Sequence, residues 1–255
     1  MQIKEVNTIH TLLRYPGGKS RAVKILKPYI PKDIREICSP FFGGGSLEIS
    51  LANDGVNVFG YDIFKSLIEF WQTVIEEPKK LSKEVREYHP ISKNYFYGLQ
   101  KKQDTMPTKL QRAAAFYVLN RSSFSGSTLS GGMSLGHPRF TLNGIEKINK
   151  FNAKNLQVDC LDFEESLKKH KETFLYCDPP YFIKNNLYGK KGDAHKNFNH
   201  EGLARILNSR KGWVLSYNNC EYIKELYEGC EFAYPEWSYG MSKKKESKEI
   251  LILNY

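Results

Sequence analysis

Short runs of apolar residues alternate along much of the chain with longer stretches in which apolar residues recur every three or four positions. The short runs are typical of buried strands and the longer spacing is typical of amphipathic helices. Their alternation predicts an α/β fold with a largely parallel sheet. The predicted strands are Ile34–Ser39, Val56–Asp62, Leu156–Cys160, Phe174–Asp178, Trp213–Tyr217, Cys230–Tyr234 and Glu249–Tyr255.

Helical spacing follows the first two strands directly, at Ser46–Ala52 and Lys65–Glu76. The last two predicted strands are separated by a segment without helical spacing. Because a short connection of this kind joins antiparallel neighbours, we expect these two strands to form a hairpin at one end of the sheet.

The alternation of strands and helices stops in the middle of the chain. There Lys93–Lys102 and Lys109–Arg121 have helical spacing, and Ser122–Thr141 is rich in Gly and Ser and is expected to form a loop or a β-hairpin. We therefore interpret residues 64–155 as a helical insertion into an α/β core that consists of residues 1–63 and 156–255.

The composition is that of a globular protein: 40% of the 255 residues are hydrophobic and 26% are charged. A chain of this length can bury a core without disulfide bonds. Lysine and arginine exceed aspartate and glutamate by 38 to 28, which gives a net charge of +10. This surplus is consistent with nucleic-acid binding and also with a basic surface that has no polyanionic partner, and charge alone does not decide between them.

Several classes of protein are disfavoured. The chain has no apolar run of about 18 residues, and the N-terminal segment MQIKEVNTIH has no apolar signal core, so neither a membrane span nor secretion is expected. The five cysteines are odd in number and form no CxxC pair, which indicates reduced thiols in the cytoplasm. The cysteines and six histidines lack zinc-site spacing, and no metal is expected.

A glycine-rich turn, Pro40–Ser46, lies between the first predicted strand and its helix. Glycines there let the backbone approach a ligand closely. The dinucleotide fingerprint would require glycine at the position of Glu48, so a hydride-transfer enzyme is disfavoured. Asp62 ends the next strand, 19 residues after Gly43, and can accept hydrogen bonds from a ribose diol. The pair of motifs predicts a ligand that contains a nucleoside.

The segment Leu13–Ser20 ends in GKS, as phosphate-binding loops do. The complete pattern requires glycine at the position of Leu13, and no strand leads into a glycine-rich loop there. An ATPase is therefore excluded as an interpretation of this segment.

The sequence Asp178-Pro-Pro-Tyr181 follows an apolar predicted strand directly. The two prolines stiffen the backbone and lack N–H donors, while their carbonyls remain acceptors. The Asp178 carboxylate is a further acceptor, and Tyr181 offers an aromatic face. Acceptors beside a stacking ring are suited to the exocyclic amino group of a flat base.

These motifs, in the order in which they occur, resemble the Dam-type, alpha-group DNA adenine-N6 methyltransferases, which use S-adenosylmethionine. The resemblance extends over nearly the whole chain. Leu119–Gly126 is similar to the NRxxF-type segment of that family, and Val214–Asn218 is similar to a later core strand. The segments that carry the resemblance are Tyr15–Lys19, Phe41–Gly45, Asp62, the long insertion and Asp178–Tyr181.

The resemblance implies a Rossmann-like class I methyltransferase fold: a mixed seven-stranded sheet with an inserted helical target-recognition domain that carries a β-hairpin. It implies site-specific transfer of a methyl group from S-adenosylmethionine to the N6 amine of a flipped adenine in double-stranded DNA, which leaves S-adenosylhomocysteine. It further implies a monomer in the cytoplasm of a bacterium or of the bacterial host of a phage, without a metal or a membrane. A cognate restriction endonuclease is one partner that the resemblance allows.

The resemblance also implies three sets of site residues. The residues that perform the transfer are Asp178, Pro179, Pro180 and Tyr181. Those that bind the cofactor are Tyr15 and Lys19 at its outer edge, Phe41, Gly43 and Gly45 in the turn, Asp62 at the ribose, Asp162 and Phe163 near the adenine, and Asp178. Those expected to contact DNA are Asn120, Arg121, Ser125, Arg139, Lys243, Lys244 and Lys245.

Two features of the sequence depart from the family pattern. The family usually carries Glu or Asp directly before the Pro-Phe of the glycine motif, where this chain has Ser39, so the acidic group near the methionine end of the cofactor is missing from that position. The segment Gly131–Thr141 does not match the family's hairpin, and the DNA site is therefore not implied. Arg139 is a candidate for reading guanine, although a phosphate contact or plain surface charge is equally consistent.

Other interpretations remain open. An adenine methyltransferase of the same family could act on RNA, and a catalytically silent DNA-binding protein could keep the fold; the intact Asp178–Tyr181 motif argues against the silent protein and Ser39 argues weakly for it. The basic run Lys243–Lys248 is either a solvated loop or a phosphate contact. A protein-glutamine methyltransferase is disfavoured because those enzymes usually carry Asn at the position of Asp178.

Overall fold

The computed structural model describes residues 11–134, 139–182, 198–236 and 249–255. Its centre is a seven-stranded sheet in which the strand order is β3-β2-β1-β4-β5-β7-β6. Strands β1 to β5 pair in parallel, and β7 runs antiparallel to both β5 and β6. The strands are β1 (Glu36–Ser39), β2 (Asn57–Tyr61), β3 (Leu156–Asp159), β4 (Phe174–Cys177), β5 (Trp213–Asn218), β6 (Glu231–Ala233) and β7 (Glu249–Asn254).

The helices lie before, between and after these strands. They are α1 (Val23–Leu26), α2 (Ser46–Asn53), α3 (Lys65–Glu76), α4 (Pro78–Arg86), α5 (Lys93–Lys102), α6 (Lys109–Ser122), α7 (Leu142–Asn149), α8 (Phe163–Lys169), α9 (His200–Asn208) and α10 (Glu221–Leu226). Short 3₁₀ turns occupy Lys27–Tyr29, Gln103–Thr105 and Phe124–Gly126. No helix within the described ranges is long and apolar enough to cross a membrane.

The expected mixed seven-stranded class I methyltransferase sheet is confirmed, and so is the terminal antiparallel pair β6–β7. Strands β1 and β4 are neighbours at the centre. From β1 the chain continues through β2 to β3 on one side, and from β4 it continues to β5 on the other. In an open α/β sheet, ligands bind at the carboxyl ends of the strands where the order reverses. This rule places the site at the ends of β1 and β4.

The helices of the middle segment share a hydrophobic core with the sheet. Trp71 on α3 donates a hydrogen bond from Nε1 to the carbonyl of Gly43 (3.0 Å), and Gln72 donates one to the carbonyl of Val158 on β3 (3.1 Å). Helix α6 packs on α3, where the rings of Phe70 and Tyr117 stack with centroids 5.6 Å apart. The division into a catalytic domain and an insertion stays a prediction.

The segment expected to form a loop or hairpin is described only in part, because residues 135–138 lie outside the described ranges. In the described part, Ser123 and Met133 form an antiparallel bridge. The amide of Phe124 donates to the carbonyl of Gly132 (2.8 Å). The segment therefore folds back on itself at the end of α6.

The buried ring of Phe42 packs between the glycine turn and strand β2. Its ring is 2% exposed and lies between Gly45 and Gly60. A Cβ atom at Gly60 would lie 2.3 Å from Phe42 Cδ2, and one at Gly45 would lie 2.5 Å from Phe42 Cζ. Trp71 meets the same ring edge-to-face at 5.5 Å. The two glycines are therefore required by the position of this ring.

We predict that Gly60→Ala lowers the free energy of unfolding by about 1–3 kcal/mol, because the new methyl group overpacks against a buried ring. Urea unfolding measures the change. Gly98→Ala on α5 is the matched control: a Cβ there meets no atom within 4 Å, so the free energy should change by less than about 1 kcal/mol. Equal losses for the two variants would contradict this role of Phe42.

Candidate active site

The glycine turn and Asp62 form one hydrogen-bonded unit at the ends of β1 and β2. The amide of Gly43 donates to Asp62 Oδ2 (3.1 Å), and the amide of Phe64 donates to Oδ1 (2.9 Å). Gly43 has φ +48°, a left-handed conformation that glycine adopts at little cost. Burial raises the pKa of the Asp62 carboxyl, while these backbone hydrogen bonds oppose the shift. Each carboxylate oxygen can still accept a further hydrogen bond, as a ribose diol requires.

Tyr15 lies over the glycine turn. A Cβ atom at Gly43 would lie 2.9 Å from Tyr15 Cε1, so the ring covers the turn closely. Burial raises the pKa of the Tyr15 hydroxyl, and the negative charges of Asp62 and Asp178 raise it further. Tyr15 is thus within electrostatic range of both carboxylates.

Lys19 lies at the centre of the site and contacts the predicted catalytic motif. Its Nζ donates to both oxygens of Asp178, each at 2.8 Å, and to Tyr181 Oη at 2.9 Å. A carboxylate oxygen of Glu249 is 3.5 Å from the same nitrogen. The Lys19 side chain is 5% exposed. A tight turn, in which the amide of Gly18 donates to the carbonyl of Tyr15, precedes Lys19 and directs it inward.

The Asp178–Tyr181 motif leaves the end of β4 and enters an aromatic environment. Tyr181 stacks on Tyr217 of β5 with centroids 5.8 Å apart, and its hydroxyl donates to Asp178 Oδ1 (3.2 Å). Burial raises the pKa of this hydroxyl well above its usual value, and Asp178 adds to the shift. Asn218 donates from Nδ2 to the carbonyl of Phe182 (2.9 Å) and so holds the next residue of the loop. Pro179 is buried and Pro180 is half-buried.

Two further buried carboxyl groups, which the sequence motifs did not indicate, complete the site. Ser39 Oγ donates to Glu48 Oε1 at 2.8 Å. Burial raises the pKa of Glu48 to about 7; Asp178 adds to the shift and Lys19 opposes it. Burial also raises the pKa of Glu249 to about 7, against the opposing effect of Lys19. The site therefore holds more acidic than basic groups among the described residues.

An aromatic cluster lies on the β3 side of the glycine turn. The ring centroid of Phe41 lies 5.8 Å from that of Phe163 and 5.5 Å from that of Phe198, and the latter two are 5.4 Å apart. Asp162 caps α8, because its carboxylate accepts a hydrogen bond from the amide of Glu165 (2.8 Å). The rings provide a flat apolar surface, and Asp162 fixes the start of the helix that carries Phe163.

Asn120, predicted to contact DNA, is buried and binds protein groups instead. It is 1% exposed. Its Oδ1 accepts from the amide of Arg14 (2.8 Å), and its Nδ2 donates to the carbonyl of Arg14 (2.8 Å) and to Thr128 Oγ1 (3.0 Å). Asn120 therefore acts as a clamp: its hydrogen bonds join the N-terminal segment at Arg14 to the loop after α6 at Thr128.

The predicted DNA residues Arg121 and Arg139 lie together with two cations that the motifs did not indicate, Arg14 and Lys147. Arg121, Arg139 and Lys147 line a cavity of about 310 Å³, and Arg121 Nε donates to the carbonyl of Arg139 (3.2 Å). Burial lowers the pKa of Arg14, and repulsion from Arg121 and Arg139 lowers it further. These four side chains form the basic cluster. The position of Arg14 directly before Tyr15, a predicted cofactor residue, was the only signal in the sequence that could have indicated it.

The remaining predicted DNA residues are not placed. Lys243, Lys244 and Lys245 lie outside the described residues, and the side chain of Ser125 is not described. In the described part of the chain, no group of three or more His, Cys, Asp or Glu side chains is arranged to bind a metal ion.

The sequence of this chain matches a family of known proteins and several of its members. The family model of the D12 class N6 adenine-specific DNA methyltransferases matches residues 15–241. The type II methyltransferase M.CviBI of Paramecium bursaria Chlorella virus NC1A is 24% identical, over 86% of each chain. The type II methyltransferase M1.LlaDCHI of Lactococcus lactis subsp. cremoris is 24% identical, over 100% of this chain and 98% of that protein. A DNA adenine methylase of Vibrio cholerae is 26% identical, over 66% of this chain and 64% of that protein.

We predict that Glu48 and Glu249 make the cofactor-free protein less stable as the pH rises from about 5 to about 7.5. Both carboxyls have a pKa near 7 in the folded state and a lower one when unfolded, so the folded state binds more protons in this range. The melting temperature across this range measures the effect. The double variant Glu48→Gln, Glu249→Gln should lose less stability over the range than the unchanged protein, and an equal loss would refute the assignment.

Proposed function

The chain belongs to the D12 class N6 adenine-specific DNA methyltransferases, and on this premise we propose that it is a site-specific enzyme that methylates the N6 amine of an adenine flipped out of double-stranded DNA. The observation that carries the proposal is the position of Asp178. It leaves the end of β4 beside the glycine turn, with its carboxylate oriented by Lys19 and Tyr181.

The site is suited to S-adenosylmethionine in shape and in charge. The turn around Gly43 exposes backbone where a side chain would not fit, and Asp62 offers acceptors for a ribose diol. The rings of Phe41 and Phe163 offer a surface for the adenine. The surplus of carboxyl groups around Lys19 suits a ligand that carries positive charge on its sulfur and its amino group. When bound, this cofactor supplies a methyl group activated by the positive sulfur.

Asp178 and Pro179 have the hydrogen-bonding character that an adenine amine needs. The amine is engaged in a base pair in duplex DNA, so the base must leave the stack before it reaches them. Each oxygen of the Asp178 carboxylate accepts more than one hydrogen bond, so Lys19 can hold it while it accepts from the amine. The Pro179 carbonyl accepts the second amine hydrogen. These contacts aim the nitrogen lone pair, and transfer then depends on positioning and electrostatics.

Tyr181 is proposed to stack on the flipped base. Its ring already packs on Tyr217 at an interplanar angle of 28°, which fixes its orientation within the site. Its hydroxyl donates to Asp178 and accepts from Lys19, so the ring and the carboxylate are held to each other by hydrogen bonds. Pro180 stiffens the backbone between them.

The basic cluster is proposed to contact the phosphates of the DNA. Arg14, Arg121 and Arg139 lie close enough for their charges to repel, and burial adds to the cost for Arg14 and Arg121. A phosphate placed among them would offset both costs. The clamp formed by Asn120 connects this cluster to Tyr15 and Lys19 through the backbone of Arg14.

Several finer points are proposed on the resemblance alone. We infer that the enzyme acts as a monomer in the cytoplasm of a bacterium or of a phage-infected bacterium, and that Ser125 and Lys243–Lys245 add contacts to DNA. A cognate restriction endonuclease remains a candidate partner. Relatives of this chain come from Vibrio cholerae and from Escherichia phage P1, where they are named as DNA adenine methylases or methyltransferases.

We predict that Asp178→Asn abolishes methylation while DNA binding and the fold persist, because the amide replaces an acceptor with a donor. Long-read sequencing of DNA from an expressing strain that lacks adenine methylation measures the product and identifies the methylated sequence. The matched control is Asp54→Asn, since Asp54 pairs with Lys27 at the end of α2. A methylation rate for Asp178→Asn near that of the control would contradict the role proposed for Asp178. If the protein methylates RNA but not DNA, the substrate proposed here is wrong.

We predict that Arg139→Gln weakens DNA binding and reduces the slope of log affinity against log salt by about 0.9, as the loss of one phosphate contact requires. Fluorescence anisotropy with duplex DNA over a range of salt concentrations measures both. Lys80→Gln is the control, because Lys80 is an exposed residue on α4 that pairs with Glu77. An unchanged salt slope in Arg139→Gln would contradict a phosphate contact there.

A further inference from the structure

We propose that Glu48, oriented by Ser39, is a cofactor-binding residue whose carboxylate receives the ammonium group at the amino-acid end of S-adenosylmethionine. The inference rests on the proposed function and deepens it. It assigns a task to Glu48, which stands where the dinucleotide fingerprint would have glycine.

The Ser39–Glu48 pair lies directly beneath the glycine turn. Ser39 is the last residue of β1 and Glu48 is the third residue of α2, so the pair joins the two elements that flank the turn. The hydroxyl of Ser39 donates to Glu48 Oε1 at 2.8 Å. Ser39 is 0% exposed and Glu48 is 4% exposed. The carboxyl group is therefore held in one orientation inside the protein.

The strand order indicates which end of the cofactor meets this pair. The ribose acceptor Asp62 follows β2 and the reacting carboxylate Asp178 follows β4, and β1 lies between these strands. Cys38 of β1 pairs with Leu175 of β4, so Ser39 is level with the residue two positions before Asp178. The sulfur carries both the methyl group and the amino-acid chain. The amino-acid end must then lie near the junction of β1 and β4, where Glu48 is.

The charges around Glu48 leave a place for a cation. The described salt bridges of this cluster run from Lys19 to Asp178 and to Glu249, and none of them reaches Glu48. Lys19, Asp178 and Tyr176 nevertheless interact electrostatically with it. A buried carboxylate is costly unless it is paired. Burial holds the pKa of Glu48 near 7, and an arriving ammonium group would stabilise the charged form.

The same pair accounts for the departure at position 39. The family usually has an acidic residue there, and in this chain the hydroxyl of Ser39 faces a carboxylate that reaches back from α2. A second carboxylate at position 39 would lie against Glu48 and repel it. In this chain the acidic group therefore lies on the helix, where the positive end of the α2 dipole also favours it.

The test compares ligands with and without the amino-acid end. Isothermal titration calorimetry measures the affinity for S-adenosylhomocysteine and for 5′-methylthioadenosine, which lacks the amino and carboxyl groups. Glu48→Gln should weaken S-adenosylhomocysteine about 10- to 100-fold, as expected for a lost charged hydrogen bond, and should change 5′-methylthioadenosine less than about 2-fold. Unchanged affinity for S-adenosylhomocysteine, or equal losses for both ligands, would overturn the inference.

A second measurement separates binding from structural support. Without ligand at pH 8, Glu48→Gln should melt at the same temperature as the unchanged protein or higher, because a buried charge is removed. A lower melting temperature would mean that Glu48 supports the fold, against the proposal. Glu249→Gln is the matched control: it removes another buried acid near Lys19 and should affect both ligands by the same factor. Glu249→Gln selectively weakening S-adenosylhomocysteine would assign the ammonium to Glu249 instead.

The same titrations distinguish failure of the proposed function from failure of the role assigned to Glu48. If the unchanged protein binds neither S-adenosylhomocysteine nor 5′-methylthioadenosine, the cofactor assignment itself is wrong. If it binds both and Glu48→Gln does so equally well, only the role of Glu48 is wrong.

Discussion

The buried ion pair between Lys19 and Asp178 is the interaction on which the rest of the site depends. It joins residues 159 positions apart, and the Lys19 side chain is 5% exposed. Removing one partner from a fully buried pair leaves the other charge uncompensated, but here Glu249 is 3.5 Å from Lys19 Nζ and still compensates the lysine when Asp178 is replaced. Lys19 also donates to Tyr181, whose ring stacks on Tyr217 of β5, and Tyr15, four residues before Lys19, lies over the glycine turn. The surfaces proposed for the cofactor and the base thus meet at Lys19 and Asp178.

The same N-terminal segment also connects the site to the basic cluster. Asn120 binds both the amide and the carbonyl of Arg14, and Arg14 Nη1 donates to the carbonyl of Ser123 (2.9 Å). Arg14 is next to Tyr15 in the chain, so a displacement of the loop after α6 reaches the glycine turn through a single peptide unit. If the basic cluster contacts DNA as proposed, these hydrogen bonds connect that contact to the segment that carries Lys19.

The sequence was sufficient for features that depend on local spacing and insufficient for those that depend on distant contacts. The bounds of α3 at Lys65–Glu76 and the glycine turn after β1 followed from periodicity and turn chemistry. Burial of Asn120 did not follow, because an asparagine beside Arg121 has the same local pattern whether it faces DNA or a neighbouring backbone. The hydrogen bond between Ser39 and Glu48 could not be predicted, because it depends on the angle between β1 and α2, and no residue pattern specifies that angle.

The net charge of +10 conceals two regions of unlike charge, and this separation suits the two ligands of opposite charge that the proposed function requires. Around Lys19, the carboxyls of Asp178, Glu48 and Glu249 outnumber this lysine among the described residues. At the basic cluster, burial lowers the pKa of Arg14 and of Arg121, and the charge of Arg139 lowers both further. A cationic cofactor is thereby favoured at the ends of β1 and β4, and the phosphate backbone is favoured near α6 and α7. The net charge alone therefore says less about the proposed ligands than the separate positions of the acidic site and the basic cluster do.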